Sequence, residues 1–211
     1  MTYWGQQKVE LLWQVKTLPG WCTLAARMAL VGERFMVNKL LVTGGIRSGK
    51  TGLAEQRAKA TGNDVVYVAT ATAGDDEMAL RIQRHQELRP DHWQLAEEPL
   101  RLGQVLSEYA SGPGEPPLLL VDCMSLWLSN LLFADGALFQ PERAAFLEAV
   151  EVYPGSLVIV TNEVGLGTIG MDPLTRRFAD ELGWLNQALA QRCDEVVMAV
   201  AGLPLTLKAG G

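Results

Sequence analysis

The stretch Leu40-Leu41-Val42-Thr43-Gly44-Gly45-Ile46-Arg47-Ser48-Gly49-Lys50-Thr51 decides the reading of this chain. From Gly44 it fits G-x-x-x-x-G-K-[ST]. An apolar run precedes the glycines, and good helix formers follow them, so the loop falls between a strand and the start of a helix. That is the context the motif needs. Glycines let the backbone turn sharply and approach anionic oxygens without a Cβ in the way. The amides of residues 45–50 are expected to point inward and meet the positive end of the helix dipole. Lys50 adds an ammonium for the β and γ phosphates, and the Thr51 hydroxyl is a ligand for Mg²⁺. Gly44, Gly45, Ile46, Arg47, Ser48, Gly49, Lys50 and Thr51 therefore read as a nucleotide-phosphate cradle.

Working outward, the helix that starts at Lys50 runs to about Ala60 and ends at Thr61-Gly62-Asn63. Residues 65–69 form a second strand, and 70–74 a loop. Acidic residues Asp75-Asp76-Glu77 open a helix that runs to about Leu88 and stops at Arg89-Pro90. Residues 91–98 carry no element signal. A helix is expected over 99–110, a loop over 111–117, a strand over 118–121 and a helix over 124–133. Further helices fall at 142–151 and 172–191, a strand at 156–161, and a last strand at 195–200. Short, continuously apolar strands alternating with helices imply a parallel sheet covered on both faces. The fold class is α/β: a P-loop NTPase-like three-layer α/β/α arrangement with a mostly parallel sheet, over residues 39–211.

Residues 1–38 stand apart as an N-terminal extension. They hold Trp4, Trp13 and Trp21, half of the six tryptophans, and Pro19-Gly20 divides them into two short amphipathic candidates. Met36 is an alternative start, just before the first clear strand. No chemistry is assigned to this stretch.

Composition bounds the function classes. The chain has 211 residues, a net charge of −6 and 20% charged residues, ordinary for a folded core but acidic. An acidic surface argues against general nucleic-acid binding, which uses basic stripes. It does not argue against one nucleotide held by backbone donors. Three widely spaced cysteines without a CxxC suggest free thiols in a reducing, cytoplasmic setting rather than a disulfide framework or a zinc site. No apolar run reaches the roughly 18–20 residues of a membrane span, and no secretory leader is evident.

Two further positions carry chemistry. Asp122 ends the strand Leu118–Val121, so its carboxylate faces the crevice at the carboxyl edge of the sheet, where it suits Mg²⁺; an ordinary strand-end cap is the other reading. His85 lies on the helix opened by Asp75, with Arg81 four residues before it and Arg89 four after. Two guanidiniums favour a neutral imidazole, which is a nucleophile toward phosphorus. Spacing alone equally describes a solvated helix face.

Four features together define a resemblance: Asp75-Asp76-Glu77-Met78; RIxxHxxxRPxxW over 81–93; Thr161-Asn162-Glu163-Val164-Gly165; and the late Asn186-Gln187 with Ala190. With the phosphate loop they resemble the bifunctional adenosylcobinamide kinase / adenosylcobinamide-phosphate guanylyltransferase family of cobalamin biosynthesis, over residues 39–208. The resemblance implies that His85 accepts GMP from GTP as a phosphoramidate. It implies nucleotide contacts at Thr70, Ala71 and Thr72, at Gln86, Glu87, Leu88 and Arg89, and at Glu97 and Asp122. It also implies ATP, GTP, adenosylcobinamide and adenosylcobinamide phosphate as substrates, Mg²⁺ as cofactor, and a homotrimer. This sequence has Arg84 where some members carry a second histidine, and Gly170-Met171 where Val-Pro is expected. Two other readings are a P-loop kinase of another small metabolite, with His85 in a structural role, and a non-catalytic nucleotide-binding protein.

Overall fold

The computed structural model describes residues 39–72, 90–134, 136–168 and 170–210, all within one unit, Met36–Gly211. The extension 1–38, the expected helix 75–88, His85 and Gln86–Arg89 lie outside the described residues.

The strands are β1 (Lys39–Gly44), β2 (Val65–Ala69), β3 (Gln94–Glu97), β4 (Leu118–Asp122), β5 (Leu157–Val160), β6 (Glu195–Val200) and β7 (Leu203–Lys208). The helices among the described residues are α1 (Lys50–Thr61), α2 (Leu102–Ser111), α3 (Met124–Phe133), α4 (Phe139–Val152) and α5 (Pro173–Arg192). The strands form one sheet in the order β3-β2-β4-β5-β1-β6-β7. Every pairing is parallel except β6 with β7.

Side-chain alternation along buried strands divides the core in two. Leu40, Val42, Leu118, Leu120, Val158 and Val160 face Ala54 and Ala58 of α1. Leu41, Leu119, Val121, Leu157 and Ile159 face α2 to α5, where Trp127 and Phe146 pack with ring centroids 5.0 Å apart. This division follows from right-handed crossovers: the connection after β1 runs one way along the sheet, and those after β3, β4 and β5 run the other way. The expected α/β sandwich with a mostly parallel sheet is the observed one.

Two strands differ from the sequence reading. The four residues of β3, unassigned above, form an edge strand parallel to β2, with Ala69 opposite Glu97. Its residues are mostly exposed, so no apolar run marks it. Glu195–Val200 is not the last strand. Ala201 and Gly202, at φ 52° and 80°, turn the chain into β7, as a two-residue hairpin with positive φ at both central positions does. Pro204 is accommodated because β7 lies at the edge.

Helix ends also shift for local reasons. The Glu98 carboxylate accepts from the amides of Leu100 and Arg101, both at 2.8 Å, and holds that segment out of the helix until Leu102. Pro141 fits inside the first turn of α4, where its missing N–H has no helical partner to lose, so α4 begins at Phe139 rather than 142. Asp172 caps α5 by accepting from the Thr175 amide at 2.8 Å, and Pro173 follows at the first helical position.

Candidate nucleotide-binding and transfer site

Parallel strands bring their carboxyl ends to one edge, and the connections from those ends build the site. At β1 the chain passes Gly44, turns through Arg47 at φ 55° and Gly49 at φ 92°, and enters α1 at Lys50. No side chain caps α1. Among the described residues, the amides of Arg47, Gly49, Lys50 and Thr51 have no backbone acceptor. Ser48 departs from the inward-facing expectation, because its amide closes a turn onto the Gly45 carbonyl at 3.3 Å. The Lys50 ammonium donates to the same carbonyl at 3.2 Å, lying across the mouth of the loop. Ile46 and Arg47 are exposed, whereas Ser48 is buried.

The loop is supported from behind. The Gly202 amide donates to the Ser48 carbonyl at 2.9 Å, and the Glu163 amide donates to the Gly44 carbonyl at 3.0 Å. A Cβ on Gly49 would stand 3.1 Å from the Gly202 Cα. The β6–β7 hairpin is thus a strut for the phosphate loop, which the sequence reading did not anticipate. The Ala-Gly pair between two apolar runs is the signal that marks it.

Asp122 ends β4, one strand beyond β5 from the loop. The Tyr67 phenol donates to its Oδ2 at 2.8 Å. Burial, and then the neighbouring Asp122 charge, push the Tyr67 hydroxyl far above its ordinary range, so it stays a donor. The adjoining Cys123 thiol is also pushed up, chiefly by burial and then by Asp122, while the Lys50 charge acts in the opposite direction. The loop lysine and the end of β4 therefore share one electrostatic environment.

Thr70 is buried and fully engaged. Its hydroxyl donates to the Cys123 carbonyl at 2.9 Å and accepts from the Cys123 amide at 2.8 Å. Its amide donates to the Asp122 carbonyl, and its carbonyl accepts from Asn130 Nδ2. It locks the ends of β2 and β4 together, while Ala71 and Thr72 lead outward from it. Glu97 is exposed at the end of β3, four strands from β1, or roughly 19 Å at about 4.8 Å per strand. The phosphate loop thus lies at the end of β1, Asp122 two strands away beside Thr70, and Glu97 one strand further on.

A polar chain joins the ends of β5 and β4. Thr161 Oγ1 donates to Asn186 Oδ1 at 2.7 Å, and Asn186 Nδ2 donates to the Asn162 carbonyl at 3.0 Å. Asn162 Nδ2 donates to Ser125 Oγ at 2.8 Å, and Ser125 Oγ is 3.1 Å from Cys123 Sγ. Thr161, Asn162 and Asn186 sit in the motifs quoted above, but the sequence alone gave them no role.

A glycine loop between the first strand and its helix, followed by lysine and a hydroxyl residue, with a carboxylate ending a strand one removed, defines a P-loop nucleotide-binding α/β protein. The profile of cobinamide kinase / cobinamide phosphate guanyltransferase matches residues 40–207, and the chain belongs to that family. It is 49% identical to the bifunctional adenosylcobalamin biosynthesis protein CobP of Pseudomonas aeruginosa, over 80% of this chain and 96% of that one. It is 36% identical to the bifunctional adenosylcobalamin biosynthesis protein CobU of Salmonella typhimurium and 34% identical to that of Escherichia coli. Each covers 80% of this chain and 99% of the relative.

Proposed function

We propose that this protein phosphorylates adenosylcobinamide with ATP or GTP and then transfers GMP from GTP to the product, giving adenosylcobinamide-GDP. The observation that carries this reading is a phosphate loop whose amides at a helix start have no backbone acceptor among the described residues, in a chain that matches the two-activity family over residues 40–207. The substrates follow from the family description and from the relatives' names.

In the first reaction the amides of Arg47, Gly49, Lys50 and Thr51 hold the phosphates. Lys50 leaves the Gly45 carbonyl for the β and γ oxygens; the acceptor hydroxyl oxygen bonds to the γ-phosphorus, the bond from that phosphorus to the β-phosphate oxygen breaks, the nucleoside diphosphate leaves and the hydroxyl proton passes to solvent. Catalysis here is mainly positioning and charge neutralisation. Thr51 and the Asp122 oxygen not held by Tyr67 are hard oxygen donors and would hold Mg²⁺ beside the phosphates. That ion would neutralise charge on the polyphosphate.

In the second reaction the neutral His85 imidazole attacks the α-phosphorus of GTP. An N–P bond forms, the bond to the β-phosphate oxygen breaks, and pyrophosphate leaves. A phosphate oxygen of adenosylcobinamide phosphate then attacks the same phosphorus and releases the histidine. Ala71, Thr72, Gln86–Arg89 and Glu97 are the proposed nucleotide contacts of this half, with Thr70 fixing the start of that loop through Cys123 rather than touching the ligand, and His85 and Lys50 are the catalytic residues. No helix among the described residues is long and apolar enough to cross a membrane. We assign the protein to the cytoplasm and, by resemblance, to a trimer.

The test uses α-labelled GTP with Mg²⁺, followed by denaturation. Label lost in acid and retained in alkali, and absent from His85→Ala, is the expected result. Label that persists in His85→Ala would remove His85 as the nucleophile, and label from γ-labelled GTP alone would favour a simple kinase.

A further inference from the structure

Asn162 occupies a place that neither proposed reaction uses. It lies two residues beyond β5, the strand between β4 and β1. Asp122 pairs in register with Val160 on one side, and the Glu163 amide binds the Gly44 carbonyl on the other. Asn162 therefore sits between the carboxylate and the phosphate loop.

Its side chain is fixed in stages. The Asn186 amide group is oriented at both ends, because Nδ2 must donate to the Asn162 carbonyl, which leaves Oδ1 to accept from Thr161. This pins the Asn162 backbone. Asn162 Nδ2 then donates to Ser125 Oγ, which lies 3.1 Å from Cys123 Sγ, where either the hydroxyl or the thiol can be the donor. The remaining atom, Asn162 Oδ1, is buried and has no hydrogen-bond partner among the described residues. A buried acceptor left unpaired is costly, so a donor is called for.

The chemistry of the surroundings narrows that donor. Phosphate oxygens and the Asp122 carboxylate only accept. An O–H group placed between them donates, and two are available there: the alcohol that receives the phosphoryl group, or water on the cation. We propose that Asn162 Oδ1 is a binding acceptor for an O–H donor beside the terminal phosphate, held in place by Ser125 and Asn186 as positioning residues. The proposal rests on the kinase reading above.

The test measures phosphoryl transfer from GTP to cobinamide by wild type, Asn162→Ala and Ser125→Ala, together with GTP affinity in the absence of acceptor and melting temperature. For Asn162→Ala, we expect a 10- to 100-fold loss in one parameter, with GTP affinity within threefold of wild type. If the donor is the alcohol, kcat/KM for cobinamide falls at saturating Mg²⁺. If it is cation-bound water, the Mg²⁺ concentration for half-maximal rate rises instead. Ser125→Ala, which keeps the acceptor but frees its amide, should lose several-fold in the same parameter. It decides the question if Asn162→Ala does not fold. Both parameters within twofold of wild type in a folded variant would overturn the proposal. A wild-type protein inactive on cobinamide would instead overturn the kinase reading on which it rests.

Discussion

Alanine at Gly49 and alanine at Gly52 should move stability in opposite directions, although the positions are three residues apart on the same turn. Gly49 sits at φ 92°, where an L side chain is strained by about 1–3 kcal/mol. Its new Cβ would press to 3.1 Å on the Gly202 Cα, a backbone atom tied to the loop through the bond from Gly202 to Ser48. Gly52 is inside α1, at an ordinary helical conformation, and a Cβ there meets nothing within 4 Å. Replacing a helical glycine recovers about 0.5–1 kcal/mol. For a chain of this size each kcal/mol moves the melting temperature by about 2–4 °C. Gly49→Ala should therefore melt about 2–12 °C below wild type and Gly52→Ala about 1–4 °C above it. Thermal unfolding followed by circular dichroism without nucleotide reads both. A Gly49→Ala protein that melts at or above wild type, or two variants that shift alike, would refute the claim that the loop's conformation and its hairpin strut are built into the unliganded protein.

Other outcomes follow from single contacts. Trp127→Phe removes the 2.8 Å bond from Nε1 to the Leu100 carbonyl inside the core and should cost about 1–3 kcal/mol in urea unfolding. Thr70→Val strips both Cys123 main-chain groups of a partner and should cost about 1–3 kcal/mol, whereas Thr72→Val, at an exposed position, should stay within about 0.5 kcal/mol by the same measurement. The Cys193 thiol is pushed up from 9.0 to about 12, mainly by burial. The folded state holds that proton more tightly than the unfolded state does. Its contribution is therefore whole below about pH 9 and is lost progressively toward about pH 12. Cys193→Ala should flatten that part of the stability–pH curve.

Much of the sheet was legible because buried parallel strands are short, continuously apolar runs. Leu40–Val42, Val65–Ala69 and Leu118–Val121 announce themselves, and the loop between the first strand and α1 announces its ligand. β3 was not legible, because an exposed edge strand needs no apolar face. β7 was not read as a strand although Leu203, Leu205 and Leu207 alternate, because Pro204 and the preceding Gly202 interrupt the strand pattern. At the site, the sequence marks Lys50, Thr51 and Asp122 through local context. It cannot show that Thr70 is spent on Cys123, because that contact joins residues 53 apart in the chain. Nor can it show the Tyr67 bond to Asp122 or the Asn186–Asn162–Ser125 chain, which exist only once β2, β4 and β5 lie side by side. Among the described residues, Thr70–Thr72, Glu97 and Asp122 fall at the ends of the neighbouring strands β2, β3 and β4, an arrangement that strand order alone determines.

The most direct measurement is a crystal structure of the protein with a slowly hydrolysed GTP analogue and Mg²⁺. The account predicts phosphate oxygens about 2.7–3.2 Å from the amide nitrogens of Arg47, Gly49, Lys50 and Thr51, with the Lys50 ammonium moved off the Gly45 carbonyl. Triphosphate bound elsewhere, with Lys50 still on that carbonyl and the four amides turned to partners within the protein, would contradict it.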